Sequence, residues 1–243
     1  MKLVLIRHAD PDYEHDCLTE KGEKEAGYLS EYLKDKKIDE IYVSPLGRAK
    51  RTAIPTVEKI GIKMQEEEWL REFEAPICRP DKPEGVLSIP WDWLPYDWTG
   101  YPDFYDYDRW MNHPLMKEGG VGKEYERVTG CFEKFLSEHG YEKSGNLFLA
   151  KHPSNDTIVF FTHYGVSVVL ISYLLHVSPM ILWHGLVALP SSITIIATEE
   201  RRKGYASFRV NTYGETTHLY MNNEPRSFSA RFCECFDNED ERH

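Results

Sequence analysis

Two short apolar runs in this sequence each lead into a histidine. Leu3 to Ile6 runs into Arg7-His8 in "VLIRHADP", and Ile158 to Phe161 runs into Thr162-His163 in "FFTHYG". A second arginine, Arg48, opens a helical pattern behind another apolar run, in "IYVSPLGRAK". Either histidine alone reads as a satisfied structural residue, the commoner state for an isolated histidine next to a core. Two strand-terminal histidines with two arginines beside them favour a site. If both strands lie in one parallel sheet, His8 and His163 emerge at its carboxyl edge, where open α/β sheets bind ligands.

A pocket of two imidazoles and two guanidiniums suits a phosphoryl group. Guanidinium forks match phosphate oxygens bidentately and stay charged, so Arg7 and Arg48 are expected to hold a tetrahedral dianion and spread the charge of its transition state. Cationic neighbours depress a histidine pKa, which keeps an imidazole between them neutral and able to attack phosphorus. The second histidine then donates a hydrogen bond to the equatorial oxygens.

Several elements must position these groups. Leu3 to Ile6 has the character of a strand covered on both faces. Thr19 is placed to cap a helix from about Glu20 to Lys34, with Ala26, Leu29 and Leu33 on one face. Ile38 to Val43 reads as a second strand and Gly47 to Ile60 as a helix, in which Ala49, Thr52, Ala53, Val57 and Ile60 share a side and Pro55 predicts a kink or reduced regularity. A further helix from about Lys123 to His139 builds its face from Tyr125, Val128, Phe132, Phe135 and Leu136. The run "TIVFFTHYGVSVVLISYLL" is a buried strand, a glycine and an apolar helix, and "SSITIIATEE" and "GYASFRVN" are strands paired across Lys203-Gly204. The acidic tail "CECFDNEDERH" is expected to fray.

With 243 residues, 41% hydrophobic and 28% charged, the chain is long enough for one large domain, and one domain with an insertion is expected. No apolar segment behind a basic stretch opens it, and the longest apolar region is broken by His163, His176, Pro179 and His184, so a soluble cytoplasmic protein is expected, with no membrane partner. Five cysteines, odd in number and scattered, read as free thiols; Cys233-x-Cys235 alone is weak support for a metal. A formal net charge of −11 argues against nucleic acid, so an anionic ligand must meet a local cationic pocket. Oligomeric state is not legible.

From Ala75 to about Gly122 the composition changes, and "IPWDWLPYDWTGYPDFYDYDRW" has no sustained period. It is too aromatic for a disordered linker. Two readings stand: a loop-rich satellite packing its rings on the main body, or a cap over a substrate cleft, since loops this long are often functional.

These residues together resemble the histidine phosphatase superfamily, also called the phosphoglycerate mutase-like family. "LIRHADP", "CLTEKGEKEA", "YVSPLGRAKRTA", "WLREF" and "FFTHYG" stand in that family's order and approximate spacing, and "FRVNTYGETTHL" is similar to its closing segment. The resemblance covers the chain apart from the aromatic insertion and the tail. It implies a three-layer α/β/α fold with a mostly parallel central sheet, a phosphohistidine intermediate on His8, a phosphoryl pocket of Arg7, Arg48 and His163, Glu72 of "LRE" as proton donor, and no metal or other cofactor. Chemistry supports Glu72 among its acidic neighbours, because an alkoxide leaving group needs a proton and a carboxyl could supply it and then activate water.

The sequence departs from the pattern at Ala9, where the family usually has glycine, and at Asp10, where a small polar residue often lines the pocket. It also lacks the Gly-Trp-Glu-Gly-like run common in broad phosphatases. The RHA form is similar to the small phosphohistidine phosphatases as well, but those lack a large insertion and a carboxylate acid. A mutase needs extra basic residues around its cleft, and Arg79, Lys82, Arg109 and Lys117 of the insertion are outnumbered there by acids and aromatics. The expected activity is therefore metal-independent hydrolysis of a small-molecule phosphomonoester. A phosphoglycerate mutase and a phosphohistidine phosphatase are the enzymatic alternatives, and a phosphate-binding module without catalysis is the non-enzymatic one.

Overall fold

The computed structural model describes residues 1–230 and 234–238. Cys233 and the last residues of the tail, on which the Cys233-x-Cys235 and fraying expectations rest, lie outside the described residues. Eight strands form one sheet: β1 (Lys2–Arg7), β2 (Glu40–Val43), β3 (Met64–Glu66), β4 (Tyr141–Ser144), β5 (Leu147–Ala150), β6 (Thr157–Thr162), β7 (Ile193–Arg202) and β8 (Tyr205–Glu215), in the spatial order β3-β2-β6-β1-β7-β8-β5-β4. The first four strands of that order pair in parallel. The rest is antiparallel, with β7 running against β1 and turning into β8 at Lys203-Gly204. The sheet is thus mixed, and its parallel half carries the histidines.

Strand alternation divides the core in two. Leu3 and Leu5 of β1 and Ile158 and Phe160 of β6 face one apolar cluster, while Val4, Ile6, Val159 and Phe161 face the other. Helices α1 (Glu20–Leu33) and α2 (Gly47–Ile60) cover the second face, and α3 (Val121–Glu138) and α4 (Tyr164–Leu175) cover the first. This explains why β1 and β6 read as continuous apolar runs: both sides of each strand are buried. Thr19 caps α1 by accepting from Gly22 N at 3.0 Å, and α2 continues through Pro55 to a left-handed Gly61. The helix ending Glu138 begins at Val121, two residues earlier than its apolar face indicates.

The segment from Ala75 to Gly122 contains a two-residue ladder, Ile77–Cys78 with Leu87–Ser88, and otherwise only one-turn helices. Trp93, Trp98, Phe104 and Trp110 are buried in the first cluster with Trp183 of α5 (Pro179–Gly185) and Tyr125 of α3. Aromatic burial therefore orders the segment without long helices or strands. No helix among the described residues is long and apolar enough to cross a membrane.

Residues 224–229 close over the loop that follows β1. Ser227 and Ser229 both donate to Asp10 Oδ1, Thr19 donates to Asp10 Oδ2 at 2.6 Å, and Lys21 binds Glu224. Asp10 is thereby fully engaged in holding the loop. Its amide donates to Glu25 Oε2 at 2.9 Å, while Glu25 Oε1 has no hydrogen-bond partner among the described residues and Lys21 Nζ stands 3.7 Å from it. Burial pushes the Glu25 carboxyl from 4.5 up to about 7, against the Asp10 amide and the Lys21 charge. A carboxyl whose folded pKa is raised stabilises the fold fully below its unfolded value and loses that contribution as pH rises through the folded one. Wild-type stability is therefore expected to fall between pH 5 and 8 relative to Glu25→Gln, by on the order of 3 kcal/mol at most. Denaturant titrations of both proteins at the two pH values check this; parallel pH profiles would refute it.

Candidate active site

Register brings the two histidines together. In the β1–β6 pair Arg7 stands opposite Thr162, and the ladder continues one step as His8 N donates to Thr162 O at 2.9 Å. On the other side of β6, Val43 stands opposite Phe161 and Ser44 N donates to Phe161 O at 2.9 Å. Arg7-His8, Thr162-His163 and Ser44 thus occupy one edge of the sheet. The rings of His8 and His163 are 5.2 Å apart between centroids, tilted by 55°, and both are buried.

Hydrogen bonds assign the imidazole nitrogens. His8 Nδ1 lies 2.8 Å from Ala9 O, an acceptor only, so Nδ1 carries the proton and Nε2 the lone pair. His163 Nε2 pairs with Ser44 Oγ at 2.7 Å, while its Nδ1 is buried without a partner among the described residues. Burial holds both histidines well below their usual pKa; Arg7 and Arg48 add to this for His8, and His8 and the same arginines for His163. Both rings are neutral near pH 7.

Each arginine is anchored at one end only. Arg7 Nη1 donates to Ala188 O at 2.7 Å, and its guanidinium faces the Tyr164 ring at 5.7 Å. Arg48 Nη1 donates to Asp16 Oδ1 at 2.7 Å and its guanidinium stands 5.3 Å from the Tyr13 ring, which lies nearly perpendicular to His8 at 6.2 Å between centroids. The Nε of each is buried without a hydrogen-bond partner among the described residues. Two guanidiniums and two neutral imidazoles with unspent donors thus meet at one sheet edge, an arrangement whose charge and donors suit a small anion with several oxygens.

Glu72 is held from the far side. Its loop is tied to the end of β6 by Thr162 Oγ1, which donates to Leu70 O at 2.9 Å. Its Oε1 accepts from Phe73 N at 2.8 Å and Val166 N at 3.0 Å, the latter in the first turn of α4 directly after His163. Burial raises the Glu72 carboxyl above 4.5, outweighing these amides, that of Gly165 and the Arg7 charge. Ala9 adopts no positive φ, and its methyl group is buried with Leu18 and Ala26, so alanine fits here without strain.

The chain belongs to the histidine phosphatase superfamily (branch 1), whose family model matches residues 3–211. Phosphoserine phosphatase 1 of Hydrogenobacter thermophilus is 28% identical over 152 residues, covering 57% of this chain and 66% of that protein, just under two thirds of its length. Among solved structures, a phosphoserine phosphatase from Entamoeba histolytica in complex with 3-phosphoglyceric acid is similar with TM-score 0.56 and 19% identity, covering 90% of this chain and 98% of that one. A mycobacterial glucosyl-3-phosphoglycerate phosphatase gives TM-score 0.55 and 18% identity over 88% of this chain and 99% of that one. Likeness at these identities establishes the fold.

Four supporting residues are not assigned to the site by sequence: Tyr13, Asp16, Ser44 and Thr52, which sequence places only on the α2 face and whose Oγ1 accepts from Ala9 N at 2.9 Å. Asp16 has a positive φ of 47° and accepts from both Gly47 N at 2.6 Å and Arg48. A Cβ on Gly47 would lie 2.1 Å from Asp16 O, so the glycine is what lets the loop approach the helix start. Burial opposes the Asp16 charge, but the Gly47 amide and Arg48 outweigh it and keep the carboxyl below 3.8. Asp16→Ala is expected to weaken binding of inorganic phosphate about tenfold by releasing Arg48, and Asp16→Asn to weaken it less because an oxygen still meets Gly47 N. Calorimetric titration with phosphate measures both; unchanged affinity in Asp16→Ala would remove Asp16 from the site.

Proposed function

We propose that this protein is a metal-independent hydrolase of small-molecule phosphomonoesters that works through a phosphohistidine on His8. The observation that carries the reading is the state of His8: a buried, neutral imidazole with Nδ1–H committed to Ala9 O, leaving the Nε2 lone pair beside His163 and two arginines. The His8 Nε2 pair attacks phosphorus as the P–O bond to the alcohol breaks, and Arg7, Arg48 and His163 stabilise the equatorial oxygens. Glu72, whose hold on a proton is strengthened by burial, gives that proton to the departing alkoxide. Its carboxylate then takes a proton from water, whose oxygen attacks phosphorus as the N–P bond breaks and inorganic phosphate leaves. The guanidiniums supply the positive charge that a metal would otherwise bring, and their presence disfavours a cation in the same place.

Names carried by the relatives, phosphoserine and glucosyl-3-phosphoglycerate phosphatases, support a small phosphomonoester as substrate. Hydrolysis is favoured over mutase activity because the insertion spends its arginines on itself. Arg79 is buried and paired with Asp81 and Asp92, and Arg109 is paired with Asp103 and Asp106. Neither remains to hold a second phosphate. In this reading residues 75–122 cap the alcohol side of the site.

A panel of phosphomonoesters in EDTA is expected to release phosphate, and a substrate pulse to leave acid-labile phosphate on the protein. Activity lost to the chelator would sink the metal-free mechanism, and ligand binding without turnover across the panel would leave a binding module. His8→Ala should lower turnover by about three orders of magnitude or more. Glu72→Gln is expected to cost alkyl esters about 10² to 10⁴-fold and aryl phosphates with good leaving groups far less. Because the raised Glu72 pKa keeps the acid form above the ordinary carboxyl range, wild-type kcat/KM on alkyl esters should fall as pH rises through that value. Equal losses on alkyl and aryl esters would exclude Glu72 as the acid.

A further inference from the structure

We infer that Trp91, carried in by the aromatic insertion, is the specificity-determining wall of the alcohol subsite, and that it selects esters whose alcohol presents an apolar or planar face next to the ester oxygen. This rests on the hydrolase reading and deepens it by assigning the leaving-group side.

Trp91 is the tryptophan of the insertion that reaches Glu72. Gly165, in the first turn of α4, separates the two: a Cβ built on it would lie 2.7 Å from Glu72 Oε1 and 2.7 Å from Trp91 Nε1. The two atoms are therefore no farther apart than twice that distance, and glycine is the residue that leaves room for both. The Trp91 ring meets Tyr164 edge to face at 5.8 Å, and Tyr164 in turn carries the Arg7 guanidinium on its ring. A two-ring aromatic contact thus links Arg7 to the neighbourhood of Glu72. Two features keep it in place: Tyr164 OH donates to Trp183 O and Leu186 O, and Trp183 Nε1 donates to Gly165 O at 3.1 Å.

The other tryptophans of the insertion cannot play this part. Trp93, Trp98 and Trp110 are buried in the core, whereas Trp91 is only half-buried and packs on the core's border. A departing alcohol must lie within hydrogen-bond reach of Glu72, so its first carbons must lie against whatever flanks that carboxyl. What flanks it is an indole and a phenol ring. The insertion's arginines are paired with its own aspartates, so neither guanidinium is left free to recruit a carboxylated alcohol.

Two esters of primary alcohols that both need a proton donor, 2-phenylethyl phosphate and phosphoserine, test the assignment in the full-length protein. Wild type is expected to favour the phenylethyl ester in kcat/KM. Trp91→Ala should lose about tenfold on that ester, chiefly through KM, and less than about threefold on phosphoserine. Trp91→Phe should retain most of the discrimination, which keeps the test valid if the alanine variant folds poorly, and the inhibition constant for inorganic phosphate should be the same in all three proteins. Equal losses on the two esters, no loss on either, or a loss confined to phosphoserine each overturns the assignment while leaving hydrolysis intact. Failure of wild type to release phosphate from any ester of the panel, by contrast, removes the hydrolase reading and this assignment with it.

Discussion

The site depends on the register between β1 and β6. Parallel pairing of Arg7 with Thr162, continued by the hydrogen bond from His8 N to Thr162 O, fixes where both strands end, and a slip of one residue would turn each histidine to the opposite face of the sheet. That register is itself enforced by packing. Leu3, Leu5, Ile158 and Phe160 must enter one core while Val4, Ile6, Val159 and Phe161 enter the other, so a slip exchanges both sets at once. The burial that stabilises the sheet is thus the same constraint that sets two imidazoles 5.2 Å apart.

Burial also sets the chemistry of the groups at that edge, with opposite signs for bases and acids. It lowers His8 and His163, so both rings stay neutral beside two permanent cations, and it raises Glu72 against the pull of the Arg7 charge. Solvent-exposed versions of the same residues would sit near their ordinary values and lose this separation of base from acid. The hydrogen bonds then refine what burial has set: Ala9 O selects the His8 tautomer, and the amides that open α4 hold Glu72 in place.

Much of this was legible in the sequence because the strongest signals are local. The apolar runs ending at His8 and His163, the Thr19 cap, the α2 face and the β7–β8 turn each depend on neighbouring residues alone, and the fold class and family membership follow from their order. Strands β3, β4 and β5 escaped notice because they are short and half-exposed, with little periodicity to see. The direction of β7 against β1 is a matter of long-range pairing that an apolar run does not encode. Asp16 was hidden for a similar reason: it lies in an acidic loop, and its partner Arg48 is brought to it only by the fold. The one local trace of that contact is Gly47, which reads as a helix start until the close approach of Asp16 O is known.

The same distinction separates the two ends of the site. The edge that carries the two histidines and two arginines is built from strand termini and helix starts, which the two cores hold and which leave little freedom for substitution. The insertion that we propose as its cap has almost no regular structure, buries Trp93, Trp98, Phe104 and Trp110, and pairs its arginines with its own aspartates. Such a segment can change sequence while the phosphate end stays fixed, provided its large rings still fill the core beside Trp183. A side chain at the border between that core and the site, the place we infer for Trp91, is suited to altering what the site accepts without loosening what holds it together.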